Sequence, residues 1–235
     1  MNQEIYYGNV VKVPEEGITG TKNDIAALSG ISSDKKNRID RVLIAESCLK
    51  RRIHALAQEI CRDYKNAEEL IFVIILKGAF VFASDLGREI YKICGLQGPE
   101  IRYGFIKAVT YGEEIKHSGE KEREVKIELK PQDLEGKDVL LIEDIVDQGF
   151  TLFKIKQKLL EEENLNSLKT CALLNKILKN PTKEVREMKN KLILDYLGFE
   201  IPDRWIAGYG IDAGEDLRHL PFIISVKEDY YLNKL

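Results

Sequence analysis

The chain has 235 residues, 44% of them hydrophobic, and a formal net charge of −3. That length supports one well-buried domain with a small appendage, and the near-neutral balance lacks the basic footprint of a nucleic-acid binder. No apolar run approaches the roughly 20 residues that span a bilayer. The start, Met-Asn-Gln-Glu-Ile, has no signal pattern, and Cys48, Cys61, Cys94 and Cys171 stand far apart as reduced core thiols do, so we expect a cytoplasmic protein with no membrane or nucleic-acid partner.

Tyr6 to Val13 has strand composition and stops at Pro14, and residues 14–37 read as loop. From Asp40 to about Tyr64, Leu49, Ile53, Leu56 and Ile60 recur at spacings of four, three and four. This predicts one apolar face of a long helix, with Lys50, Arg51, Arg52 and Arg62 mostly outside it. His54 has no partner four residues on and reads as solvated or packed. Leu70 to Leu76 is a continuous apolar run, which predicts a strand buried on both faces. Lys77-Gly78 follows at once and opens a helix with Phe82, Leu86, Ile90 and Ile93 on one face. Those two residues make either a plain turn or a turn whose cation and N–H groups meet an anion. Ile101 to Val109 is a further strand. Residues 110–124 are polar and glycine-punctuated, a solvated hairpin loop or a lid over water-sensitive chemistry. Val125 to Leu129 has strand pattern and precedes a turn over Pro131–Lys137.

Asp138 to Leu152 carries the strongest signal. The apolar run Val139–Ile142 ends in Glu143 and Asp144, with Asp147 three residues later. Gln148, Gly149, Phe150 and Thr151 then lead into a helical pattern with Leu152, Ile155 and Leu159 on one face. Strand, acidic tip, glycine turn and helix start is how a parallel sheet presents a phosphate site at the carboxyl ends of its strands. Clustered carboxylates each need a cation, a donor or solvent. The stretch is therefore a solvated acidic loop, or a site in which a polyol or metal meets Glu143 and Asp144 while an anion meets the N–H groups of Gly149 to Thr151. A sugar phosphate satisfies both halves. The helix runs to about Glu162, where three glutamates oppose the helix dipole.

Leu168 to Leu174 predicts another strand, with Asn175-Lys176 at its tip. Lys179 to Asn190 is lysine-rich and reads as surface loop, and Leu192 to Leu197 as one more strand. Gly198-Phe199-Glu200-Ile201-Pro202-Asp203 and Trp205 to Asp212 follow. Gly208-x-Gly210 lacks the strand–turn–helix context of a dinucleotide fingerprint, and no Walker-type lysine motif is present. Strands and helices alternate from Leu70 onward, which argues an α/β domain with a mainly parallel sheet.

Ile142 to Leu152 resembles the motif that binds 5-phosphoribosyl 1-pyrophosphate (PRPP) in type I phosphoribosyltransferases, in the form specific to the hypoxanthine-guanine branch. Leu76-Lys77-Gly78-Ala79, Thr110-Tyr111, Lys176 and the segment from Gly198 to Asp212 resemble the family's other motifs, in family order over about residues 70–220. Departures are Ala79 for a second glycine, Gln148 for Thr or Ser, Phe150 for a basic or polar residue, and His219 for an acid beside Arg218.

The resemblance implies a single phosphoribosyltransferase domain over 1–235. Its type I core, about 38–197, would be a mainly parallel sheet flanked by helices, with a small hood from about 1–20 and 198–235. It implies purine salvage, in which hypoxanthine or guanine and PRPP give IMP or GMP and pyrophosphate. The alternatives are a xanthine-preferring enzyme and a non-catalytic regulator on the same fold. By motif position, Lys77, Gly78, Thr110, Tyr111, Glu143, Asp144, Asp147, Gln148, Gly149, Phe150, Thr151 and Arg218 would bind PRPP. Lys176, Trp205, Ile206 and Asp212 would bind the purine, and Asp147, Lys176 and Arg218 would be catalytic. Mg2+ would be held by Asp212, Glu143 and Asp144. The family is dimeric or tetrameric, which implies a homodimer or homotetramer, and its peptide before the lysine can be cis.

Overall fold

The computed structural model describes residues 9–19, 37–111, 124–129 and 133–232, and for 108–111, 124–129 and 231–232 the backbone alone. The expected loop over 20–36 and most of the polar segment 110–124 lie outside the described residues.

The continuous apolar run folds as β3 (Glu69–Ile75), and it is buried on both faces because its residues alternate between two cores. Leu70, Phe72 and Ile74 enter one core, and Ile71, Val73 and Ile75 enter the other. The same alternation sends Leu140 and Ile142 of β6 (Asp138–Val146) one way and Val139 and Leu141 the other. Helices α1 (Glu46–Asp63) and α2 (Ala79–Cys94) cover the first face, and α3 (Phe150–Glu162) covers the second with Leu152, Ile155 and Leu159.

Seven strands form the main sheet. Besides β3 and β6 these are β1 (Val11–Lys12), β4 (Glu100–Tyr111), β5 (Glu124–Leu129), β7 (Ser167–Ile177) and β8 (Tyr196–Pro202). The order is β1-β8-β7-β6-β3-β4-β5, parallel throughout except for the β4–β5 pair. The carboxyl ends of β3, β6, β7 and β8 therefore point to one edge. A smaller antiparallel sheet has the order β2-β10-β9, with β2 (Ile39–Ile44), β9 (Ile206–Ala207) and β10 (Ile223–Val226). The mainly parallel sheet, helices on both faces and small second sheet are the expected architecture. Sheet membership does not follow the expected division near 38 and 198. β1 and all of β8 lie in the main sheet, while β2 belongs to the small one.

Three elements differ from expectation. Asp40–Ile44 is strand, because β10 supplies its ladder partners, and the helix starts only at Glu46. The lysine-rich stretch expected as loop contains α4 (Lys183–Lys191). Thr182 caps it by accepting from Val185 N at 3.3 Å, and Glu184 in the first turn and Lys189 and Lys191 in the last suit the helix dipole. The strand expected from Leu192 begins at Tyr196, since the Asp195 carboxylate takes the Thr170 N–H at 2.8 Å and its hydroxyl at 3.0 Å. Side by side, α1 and α2 bring Cys61 and Cys94 together with a Cα–Cα distance of 6.6 Å. Cys48 and Cys171 are free and buried. Among the described residues, no helix is long and apolar enough to cross a membrane.

Arg52, expected outside the apolar face of α1, is 2% exposed. Its Nη1 meets Glu59 Oε1 at 2.8 Å, and Nε and Nη2 donate to the carbonyls of Gly198 and Leu197 at 3.1 and 2.7 Å. One guanidinium thus fastens α1 to β8. Arg52→Met is expected to destabilise the protein by about 3–5 kcal/mol in urea denaturation, because it removes the buried guanidinium that pairs with Glu59 and donates to the Gly198 and Leu197 carbonyls. A loss below about 1 kcal/mol would show that Glu59 reaches solvent instead.

Candidate active site

At the shared edge, β6 ends in its acidic residues. Glu143 is buried, and its Oε1 accepts from Asp144 N at 3.2 Å. The Asp144 carboxylate lies against the turn between β3 and α2. A Cβ on Gly78 would sit 1.8 Å from Asp144 Oδ2, although Gly78 itself has ordinary helical dihedrals, φ −62 and ψ −40. Space, not conformation, requires glycine there. The Gly78 carbonyl in turn lies 2.2 Å from where a Cβ of Gly210 would stand. Three loops from distant parts of the chain thus pack backbone to carboxylate. The Leu76–Lys77 peptide is cis.

Past β6 the chain turns through Gly149, whose φ of +91 is left-handed and suits glycine, directly into α3. Gly149 is the N-cap residue and makes no side-chain cap, so the positive end of the helix dipole, at Phe150 and Thr151, stands directly after the glycine turn.

Two side-chain clusters flank this turn. In the first, Lys176 Nζ meets Asp147 Oδ2 at 3.1 Å, with side chains 8% and 23% exposed. The same ammonium stands 5.6 Å from the centre of the Trp205 ring. Asp147, Gln148, Lys176, Arg204 and Trp205 line a cleft of about 360 Å³. Lys189 of α4 lies beneath it. Its Nζ donates to the carbonyls of Asp147 at 2.7 Å and Lys176 at 2.6 Å, and burial pushes its pKa down to about 8 despite the nearby Asp147.

In the second cluster, Arg218 Nη2 meets Asp212 Oδ1 at 2.8 Å and Glu215 Oε1 at 3.3 Å, while Nη1 donates to the Gly210 carbonyl at 2.9 Å. Glu215 also accepts from Lys77 Nζ at 3.0 Å. Its carboxyl is held below the usual range, first by the Lys77 hydrogen bond and then by the Arg218 charge. Glu215 N donates to Asp212 Oδ2 at 2.9 Å, which folds the turn on itself.

The structure thus brings Asp147, Gln148, Lys176 and Trp205 together, and separately Lys77, Asp212 and Arg218. Asp212 is not among the residues that line the Trp205 cleft. Ile206 is buried within β9, paired with Ser225 of β10. Thr110 and Tyr111 end β4, and their side chains lie outside the described residues. Sequence reasoning missed Lys189 and Glu215. Glu215 had a signal, because Asp212, Glu215 and Arg218 recur at a spacing of three. Lys189 had none, being one lysine among many.

Magnesium takes hard oxygen ligands and is held by one or two carboxylates together with substrate phosphates. Glu143, Asp144 and Asp212 offer such oxygens around the turn. Among the described residues, no three or more His, Cys, Asp or Glu converge into a protein-only cage. That donor set suits an ion that arrives with a phosphate ligand.

A phosphoribosyl transferase domain family matches residues 45–213. The hypoxanthine-guanine phosphoribosyltransferase of Dictyostelium discoideum is 40% identical over 81% of this chain and 97% of its own length. A solved hypoxanthine-guanine phosphoribosyltransferase from Bacillus anthracis is 36% identical with a TM-score of 0.64, covering 80% of this chain and 99% of that one. A hypoxanthine phosphoribosyltransferase variant from Trypanosoma cruzi, solved with the product IMP, is 28% identical with a TM-score of 0.68 over 83% of this chain and 94% of that one. By the match over residues 45–213 and the identity to these relatives over most of its length, the chain belongs to the phosphoribosyltransferase family, in its hypoxanthine-guanine branch.

Proposed function

We propose that the protein is a purine-salvage enzyme that joins hypoxanthine or guanine to PRPP, giving IMP or GMP and pyrophosphate. The observation that carries this is the Asp147–Lys176 pair, 3.1 Å apart in the Trp205 cleft at the carboxyl edge of the sheet. A 6-oxopurine carries its exocyclic oxygen and an imidazole nitrogen that can shed a proton close together on one edge. A carboxylate and an ammonium side by side answer both, and an indole offers the ring a face to stack on.

In the reaction, a purine ring nitrogen attacks the anomeric carbon of the sugar. The bond from that carbon to the pyrophosphate oxygen breaks, and its electron pair leaves with pyrophosphate. Asp147 takes the ring proton as general base. Lys176 polarises the exocyclic oxygen, Trp205 stacks on the base, and the backbone at Ile206 serves its far edge. Glu143 and Asp144 hold the ribose hydroxyls, and Gln148 to Thr151 seat the 5-phosphate at the start of α3. Lys77, Gly78 and Arg218 hold the pyrophosphate. Mg2+, held by one or two of the carboxylates of Asp212, Glu143 and Asp144 together with substrate oxygens, would neutralise charge on the leaving group. Thr110 and Tyr111 begin the lid that would keep water from the developing glycosyl cation.

A cytoplasmic homodimer or homotetramer belongs to the same proposal. Phe80 and Tyr91 lie on one face of α2, 52% and 61% exposed, and the Tyr103 hydroxyl packs against Gly87 on that face. This apolar strip next to Lys77 is one that a second copy would cover.

The purified protein, supplied with PRPP and Mg2+, should form IMP from hypoxanthine and GMP from guanine. Turnover of adenine alone, or of no base, would overturn the reading, and a preference for xanthine would reassign the base. In the same assay, Asp147→Asn should lower kcat by about 10²–10⁴-fold while PRPP binding changes little, as loss of a general base does. Unchanged turnover would remove Asp147 from that role.

Glu215 bridges Lys77 and Arg218 in this state, so a pyrophosphate that takes both must displace it. Exposed ion pairs of this kind are weak, so Glu215→Gln should tighten pyrophosphate binding by a few-fold in calorimetry. Weaker binding would instead make Glu215 part of the ligand site.

A further inference from the structure

We propose that Lys189 is a positioning residue for phosphoribosyl transfer: its ammonium ties the tip of β6, which carries Asp147, to the tip of β7, which carries Lys176. The inference rests on the proposed roles of those two residues. The β6–β7 ladder ends at the pair Val146 and Asn175, one residue short of both. Lys189 takes over where backbone pairing stops, donating to the Asp147 carbonyl at 2.7 Å and the Lys176 carbonyl at 2.6 Å. The two backbones it joins are those whose side chains meet at 3.1 Å in the cleft.

α4 sets this cation from outside the sheet. Its side chains also close over the phosphate turn: Leu192 Cδ2, Lys189 Cγ and Met188 Cγ lie 3.3, 3.8 and 3.8 Å from where a Cβ of Gly149 would stand. The helix therefore supports the site in two separable ways. Apolar contact holds the turn at Gly149, and the ammonium sets the spacing of the base-side pair. Removing the ammonium while keeping the stem touches only the second.

General-base transfer is steep in distance, and a misplacement of about 1 Å can cost on the order of 10²-fold in rate. PRPP binding relies instead on the N–H groups of the turn, which the Lys189 stem continues to support. Lys189→Met should therefore lower kcat by about tenfold or more, leave the KM for PRPP within about threefold, and leave the melting temperature nearly unchanged. Lys189→Arg, which can still donate to two carbonyls, should recover kcat to within about threefold of the wild type. Lys189→Gln, too short to reach both carbonyls, should show the same split as Lys189→Met and serves if the latter fails to fold.

A Lys189→Met enzyme with wild-type kcat would overturn the inference. So would a fall in kcat that tracks a fall in melting temperature or a parallel rise in KM, because that pattern marks general support for the fold. A wild-type protein that transfers no phosphoribosyl group would overturn the functional reading, and the inference with it. An active wild type beside an equally active variant overturns the inference alone.

Discussion

A lysine ammonium held 8% exposed at the edge of a sheet sets the terms for everything around it. A buried charge is tolerated only with a partner of opposite sign and satisfied hydrogen bonds. Asp147 supplies the partner at 3.1 Å, and the Trp205 ring supplies a face on the other side. Those contacts recruit three parts of the chain: the tip of β6, the tip of β7 and the segment between β8 and β9. Trp205 is itself fixed to the small sheet, because its carbonyl accepts from Val226 N at 2.8 Å. The Lys176–Trp205 contact thus links the main sheet to the smaller one at the wall of the cleft.

The opposite flank is joined by contact and not by charge. Asp144, Gly78 and Gly210 stack so closely that neither glycine has room for a methyl group. Residues 78, 144 and 210 belong to the α2 start, the β6 tip and the loop before β10. None is a sequence neighbour of another, and each arrives at the junction by a different route through the fold. The proposed sugar, leaving-group and base subsites are therefore held in mutual register by backbone packing, which is stiffer than long side chains at an exposed surface.

What the sequence makes legible follows the range of the interaction. β3 and β6 are readable because strands buried on both faces must be apolar along their whole length. The acidic tip and glycine turn are readable because five local residues carry the chemistry. Where a partner far along the chain decides the outcome, local pattern fails. Asp40–Ile44 continues a helical periodicity, yet β10, nearly two hundred residues away, makes it a strand. Arg52 looks solvated, yet Glu59 and two carbonyls of β8 bury it. α4 was hidden by its lysines, although Pro181-Thr182-Lys183-Glu184 is a legible helix start with Thr182 as cap. Lys189 was hidden for a different reason. Nothing local separates a lysine that reaches two strand-tip carbonyls from its neighbours that reach water.

The two flanks of the site also differ in how far they are already built. On the proposed base side, Lys176, Asp147 and Lys189 are tied to one another and to backbone, so that arrangement exists before a ligand arrives. On the leaving-group side, Glu215 is 67% exposed and its bonds to Lys77 and Arg218 face solvent. Such pairs exchange at little cost in free energy. A ligand with more negative charge than one carboxylate, such as a pyrophosphate, can therefore displace Glu215 without disturbing the stacked glycines beneath. Arg218 keeps its bond to the Gly210 carbonyl through that exchange, so its guanidinium stays aimed while its anion changes. Rigidity at the proposed base subsite and exchangeability at the proposed leaving-group subsite are what an enzyme needs if it must bind a highly charged donor tightly and still release the pyrophosphate that the reaction sets free.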